Sequence, residues 1–147
     1  MTQIQNEDLV EIFDLRKMIE CYALKQSWKN ITLDKYVGLF EEEKRLYQHY
    51  ISHNPGIYIE EYHQNDIQLH LLIVQGWANT MLHGIYNGIF NLIKMFIRLS
   101  THQSNYLLSI NEHIDILESI LNRQLYNAVE NIMNHLNNTL ERFTGSI

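Results

Sequence analysis

The residues best placed for chemistry are Asp66 and His70, a carboxylate and an imidazole four positions apart in Asp66-Ile67-Gln68-Leu69-His70. On a helix this spacing projects both side chains to one side, so the pair can grip a single cation. Two further histidines, His113 and His135, fall on the apolar stripes of later segments, beside Ile110, Leu117 and Ile120 and beside Ala128, Ile132 and Leu136. Polar groups in such positions are costly unless something satisfies them. One inward histidine is accounted for by one hydrogen bond; three imidazoles and a carboxylate need four separate partners or one shared one. Three nitrogens and one oxygen suit a divalent metal ion, Zn²⁺ first, with Ni²⁺, Mn²⁺, Co²⁺ or Fe²⁺ as alternatives. They also leave coordination positions for water or a ligand oxygen.

Other chemistries have less support. His49, His53, His63, His83 and His102 fall near helix ends or on mixed faces, where surface or capping roles are expected. Glu60 to His63 is the only Glu-x-x-His spacing, whereas a carboxylate-bridged di-iron site needs two. Cys21 lies inside a helical segment and reads as a small core residue. There is no Gly-x-Ser-x-Gly elbow, and no catalytic residues are assigned. Two alternatives stay open beside ligand sensing. A metal with an open position could activate water for hydrolysis, although no general base is evident. A metal-free helical interaction module would only need its histidines hydrogen-bonded.

The elements that must position these residues are helices. Apolar periodicity predicts one from Asn6, a possible N-cap, to about Trp28, carrying Leu9, Ile12, Phe13, Ile19 and Ala23. Arg16 lies on its stripe one turn before Glu20, either as an intrahelical ion pair or as an inward guanidinium facing an anionic ligand. A second helix is expected from about Thr32, as N-cap, to His53, with Glu41-Glu42-Glu43-Lys44-Arg45 as a solvated face. Asn54-Pro55-Gly56 ends it. A third runs from about Ile57 to Gln75, and Gly76 interrupts it before Asn79 caps the next. The fourth, about Thr80 to Leu99, is apolar almost all round and is expected at the centre of a bundle. After a polar loop at Ser100 to Asn105 come helices from about Tyr106 to Leu121 and from about Leu125 to Arg142, then a frayed tail from Thr144 to Ile147.

No strand pattern, phosphate loop or internal repeat is present, so the expected fold is all-α, an antiparallel bundle of about six helices. A length of 147 residues suits one domain spanning residues 1–147. The net charge of −6 and the lack of a Lys/Arg cluster argue against direct contact with nucleic acid. A lone cysteine and a polar, acidic N-terminus point to a cytoplasmic chain, and the longest apolar run is too short for a membrane span.

An ordered set of short motifs carries a family resemblance. It begins with Glu11-Ile12-Phe13-Asp14-Leu15-Arg16 and Ile19-Glu20, and continues with Asp66-x-x-x-His70 and the Ala78-Asn79 turn. It closes with Glu112-His113, Ile116-Leu117 and Ile120, then Ala128, Met133 and His135-Leu136. Together these resemble the FCD domain, the effector-binding half of FadR-type regulators in the GntR superfamily. Ala78 in place of the usual glycine and Arg123-Gln124 in place of Gly-Asp are departures confined to turns. The resemblance implies that Asp66, His70, His113 and His135 are metal ligands inside the bundle. It also implies a small carboxylic acid effector next to the metal, faced by Arg16 with Arg98 as a second candidate, and a homodimer. Regulators of this type read DNA through an N-terminal winged helix-turn-helix, which is not expected in this chain. The implied function is metal-dependent sensing for transcription regulation.

Overall fold

The computed structural model describes residues 5–52, 58–100 and 104–145, with backbone alone at 96–100 and 104. Six helices account for nearly all of it: α1 (Asn6–Ser27), α2 (Asp34–Ser52), α3 (Ile59–Gln75), α4 (Thr80–Ser100), α5 (Ser104–Leu121) and α6 (Leu125–Thr144). A 3₁₀ turn, Trp28–Asn30, follows α1, and no strand occurs among the described residues. The all-α bundle expected from periodicity is the fold observed.

Local chemistry sets the ends. The first helix starts one residue ahead of expectation: Gln5, not Asn6, is its N-cap, and its N–H donates to the Asp8 carboxylate at 2.8 Å. The second begins at Asp34, two residues after Thr32. Asn79 caps α4 as expected, its Oδ1 accepting the Leu82 N–H at 3.0 Å, and His83 adds a 2.7 Å bond to the Trp77 carbonyl. The expected loop at Ser100 to Asn105 is shorter, since α4 includes Ser100 and α5 starts at Ser104. Thr144 belongs to α6, which ends on Gly145 at φ 67°, a left-handed conformation that glycine adopts without strain. The Asn54-Pro55-Gly56 breaker, His53 and His102 lie outside the described residues.

The main core gathers Phe13 and Leu24 from α1, Leu69 and Ile73 from α3, Ile116 and Leu117 from α5, and Ile132 and Leu136 from α6. The α1 helix packs on α6 and α3, α5 packs on α2 and α6, and α3 lies against α1, α2 and α5. These helices therefore direct their inner faces into one interior.

Three sequence expectations fail against this packing. The fourth helix is peripheral: it rests on α1 and α3 through Tyr86, Phe90 and Ile93, while Met81, Ile85, Leu92 and Met95 stay exposed. Its apolar residues thus form two faces, of which the bundle covers one. In the charge run of α2, Glu43 is fully buried, whereas Arg45 stays near the surface, bridging Glu42 and Glu61. His63 is likewise buried, its ring edge-on to Tyr62 and Tyr106.

On the exposed face of α4, a Cβ added at Gly88 would meet nothing within 4 Å. Glycine in a helix interior costs about 0.5–1 kcal/mol relative to alanine. Gly88→Ala is therefore expected to raise the thermal unfolding midpoint by roughly 2–4 °C. A calorimetric scan without that gain would contradict an open setting for this face.

Candidate metal centre

The three imidazoles reach the interior from three helices. His70 comes from α3, His113 from α5 and His135 from α6, and none is more than 2% exposed. Asp66 lies one turn before His70 on α3, as the four-residue spacing requires. One donor atom from each of the four lies within 4.8 Å of the others. His70 Nε2 and His113 Nε2 each stand 3.3 Å from His135 Nε2. Asp66 Oδ1 is 3.0 Å from His113 Nε2 and 3.6 Å from His70 Nε2.

Each imidazole is anchored from behind by a carboxylate. His70 Nδ1–H donates to Glu20 Oε2 at 2.6 Å, His113 Nδ1–H to Glu43 Oε1 at 3.0 Å, and His135 Nδ1–H to Glu112 Oε2 at 2.7 Å. Fixing the proton on Nδ1 turns all three Nε2 lone pairs toward one point. Converging lone pairs repel unless a cation or a shared proton lies between them. The separations of 3.0–3.6 Å match what such a cation needs. Metal–ligand bonds of about 2.0–2.1 Å place neighbouring ligands roughly 3.0 Å apart in octahedral and about 3.4 Å apart in tetrahedral geometry. The residues present fit a divalent metal ion.

Charge agrees with that fit. Asp66, Glu20, Glu43 and Glu112 bring four carboxylates to the site, against the guanidiniums of Arg16 and Arg142. With the imidazoles neutral, the excess is two negative charges, which a dication balances. Without one, the cluster compensates internally. Burial works against an imidazolium at His113, but the Glu43 and Asp66 carboxylates outweigh it and push that group up to about 10. Burial and the neighbouring imidazoles push His135 down to about 3. Burial would raise the Glu20 carboxyl, yet His70 and Arg16 hold it near 2. The Glu112 carboxyl, which burial would also raise, is held near 2 by Arg142 and His135.

Arg16 is buried at the edge of the centre and forms the intrahelical ion pair with Glu20 that the sequence offered as one of its two readings. Its Nε donates to Glu20 Oε1 at 2.9 Å, and its guanidinium stands over Phe13 and Phe90. It also lines a cavity of about 20 Å³ beside Asp66 and His135. Arg142, Tyr62 and Ser109 are also part of that wall. The space holds about one water, so a carboxylate group fits only if side chains give way. Beside it runs the bridge in which Arg142 donates twice to Glu112, at 2.9 and 2.8 Å. Arg98 lies within α4, with its side chain outside the described residues. Cys21 is buried and not activated, burial pushing its thiol up to about 11.

Sequence reasoning passed over Glu43, Glu112 and Arg142, and took Glu20 only as the partner of Arg16. A signal existed for most of them. Glu43 is four residues after Leu39 and seven after Tyr36, on the buried stripe of α2. Arg142 is seven residues after His135, on the same face of α6.

Comparison with known proteins places this arrangement in a family. No curated protein matches the sequence. Among solved structures, the chain is similar to the metal-free FCD domain of TM0439, a candidate transcriptional regulator. The TM-score is 0.83 with 20% sequence identity, covering 98% of this chain and 96% of that one. It is similar as well to the Zn²⁺-bound FCD domain of TM0439, with a TM-score of 0.81, 20% identity, and coverage of 99% and 98%. The family model of the FCD domain matches residues 11–138, from the second turn of α1 to the last turns of α6, and the chain belongs to the FCD domain family.

Proposed function

We propose that this chain is a single metal-dependent sensing domain of a transcription regulator, in which Asp66, His70, His113 and His135 hold a divalent cation, Zn²⁺ first. The observation that carries this is the convergence of four donor atoms within 4.8 Å of one another, His135 and Asp66 each standing 3.0–3.6 Å from neighbouring imidazole nitrogens, with a carboxylate anchoring each imidazole. The likeness to an FCD domain known in metal-free and Zn²⁺-bound forms supports it. A bound metal supplies open coordination positions for one end of a small carboxylic acid. Arg16 and Arg142 then offset the added negative charge, and Arg98 remains the second candidate proposed from the sequence. Effector binding biases the helix packing, and two such domains in a cytoplasmic homodimer pass that bias to DNA-binding domains. No helix among the described residues is long and apolar enough to cross a membrane.

Titration with Zn²⁺, Ni²⁺ and Mn²⁺ followed by thermal unfolding tests the metal. Protein that is metal-free after mild purification and gains no stability from any of them would sink the proposal. The effector is tested by adding small mono-, di- and tricarboxylates to metal-loaded and metal-free protein, with a further rise expected only when metal is present. Arg142→Gln is expected to lower metal affinity about 3–10-fold, because Arg142 holds the Glu112 carboxylate that anchors His135, so its carboxylate response is compared at saturating metal. It should weaken the carboxylate response about tenfold, the scale of one charge-assisted hydrogen bond. An equal carboxylate response from the variant would remove Arg142 from the site.

A further inference from the structure

The inner face of α4 is apolar apart from the hydroxyl of Tyr86, a fully buried residue stacked on Phe90. That hydroxyl donates to Glu20 Oε1 at 2.6 Å. The same oxygen receives Arg16 Nε at 2.9 Å, and the other oxygen of Glu20 receives His70 Nδ1–H at 2.6 Å. A continuous hydrogen-bonded chain therefore runs from α4 through Glu20 of α1 to His70 of α3, whose Nε2 belongs to the donor cluster. No other described side chain of α4 has a hydrogen bond to α1 or α3 comparable to this one; the rest of its seat is apolar packing against residues such as Ile12, Ile19 and Val74. The opposite face of α4 carries exposed Met81, Ile85, Leu92 and Met95, so any shift of this helix moves a large apolar surface.

We propose that Tyr86 is a positioning residue that couples the seating of α4 to the metal centre. The proposal rests on the metal-centre reading above. Metal held by His70 fixes the imidazole, which fixes Glu20, which in turn holds the Tyr86 hydroxyl and seats α4. In the other direction, a loosened α4 leaves Glu20 with one fewer restraint and His70 less well aimed. Linkage makes the two effects one: the factor by which seated α4 favours metal equals the factor by which metal favours seated α4. Groups that directly orient a ligating histidine are typically worth about 10–100-fold in metal affinity. Tyr86 acts one hydrogen bond further away, so about 3–10-fold is expected.

The test uses the full chain and its Tyr86→Phe variant, which keeps the ring and removes only the hydroxyl. Zn²⁺ affinity is measured against a competing chelator, and amide hydrogen exchange is followed with and without Zn²⁺. In the wild type, Zn²⁺ should slow exchange in α4 as well as in α3, α5 and α6. In Tyr86→Phe, affinity should fall about 3–10-fold, and the Zn²⁺-dependent slowing should disappear from α4 while persisting in α5 and α6. An Ile93→Ala control, which loosens the same face without touching the hydrogen bond, should lower overall stability and keep the Zn²⁺-dependent slowing in α4. Wild-type affinity in Tyr86→Phe, or undiminished slowing in α4, would overturn the coupling while leaving the metal centre standing. Failure of the wild type to bind Zn²⁺ would overturn the metal centre and the coupling together.

Discussion

Replacing His113 with alanine is expected to lower Zn²⁺ affinity by about 100- to 1,000-fold, while His83→Ala, a change at the N-terminal end of α4, leaves it within about twofold. Structural Zn²⁺ in zinc-finger peptides is worth roughly 10–16 kcal/mol in total, and on that scale one of four ligands carries on the order of 2.5–4 kcal/mol. His113 offers more than a nitrogen. It stands between Asp66 Oδ1 and Glu43 Oε1, both at 3.0 Å, and Glu43 is fully buried with its second oxygen lacking a hydrogen-bond partner. Removing the imidazole leaves two buried carboxylates facing a void, so the variant loses stability even before metal is added. Thermal unfolding separates the two losses. At a Zn²⁺ concentration 100 times the wild-type Kd, the wild type gains about 2.7 kcal/mol from binding. A variant weakened 100-fold gains about 0.4 kcal/mol under the same conditions. An unchanged Zn²⁺-dependent gain in His113→Ala would exclude the residue from the centre. An equal loss in His83→Ala would show that the effect is not specific to the cluster.

How far the sequence revealed this arrangement depends on the kind of residue. Asp66, His70, His113 and His135 were visible because polar residues interrupt otherwise apolar helical stripes, and a 3.6-residue period marks which way each one points. Periodicity does not say which faces of different helices meet. The helical period puts Glu43, unlike Glu41 and Glu42, on the stripe of Tyr36 and Leu39, but its partner follows only from α2 packing on α5, which brings His113 to it. Glu112 precedes His113 in the chain yet serves His135, a pairing that depends on how α5 lies against α6. The fourth helix was misplaced for a related reason. Hydrophobicity on two faces looks like central burial, but residues such as Met81 and Leu92 face away from α1 and α3. The helices themselves were legible to within about two residues at most ends, where local signals such as the Asn79 cap set the boundary.

Affinity for Zn²⁺ is expected to rise about tenfold per pH unit from pH 5 to pH 9, with no plateau above pH 7. The sign follows from the metal-free cluster. Glu43 and Asp66 outweigh the cost of burial and hold the His113 imidazolium up to about 10, so this residue keeps its proton across the whole range. A metal ion displaces that proton, and each unit of acidification makes the displacement tenfold harder. An ordinary histidine, ionising near pH 6.5, would give the same slope only below that value and a flat line above it. His135 adds no further proton in this window, because burial and its neighbours push it down to about 3. Metal-free stability should follow a different curve. A histidine held above its unfolded value stabilises the fold fully below about pH 6.5 and loses that contribution as pH rises through the folded value near 10. His135, held below its unfolded value, stabilises above about pH 6.5 and loses its contribution as pH falls toward 3. The metal-free protein should therefore be most stable near pH 6.5, whereas at a fixed excess of free Zn²⁺ the maximum moves to higher pH. Chelator-buffered titrations and urea unfolding at pH 5, 6.5, 8 and 9 measure both curves. An affinity that levels off above pH 7, or a stability maximum that Zn²⁺ does not move, would mean that His113 carries no proton for the metal to displace.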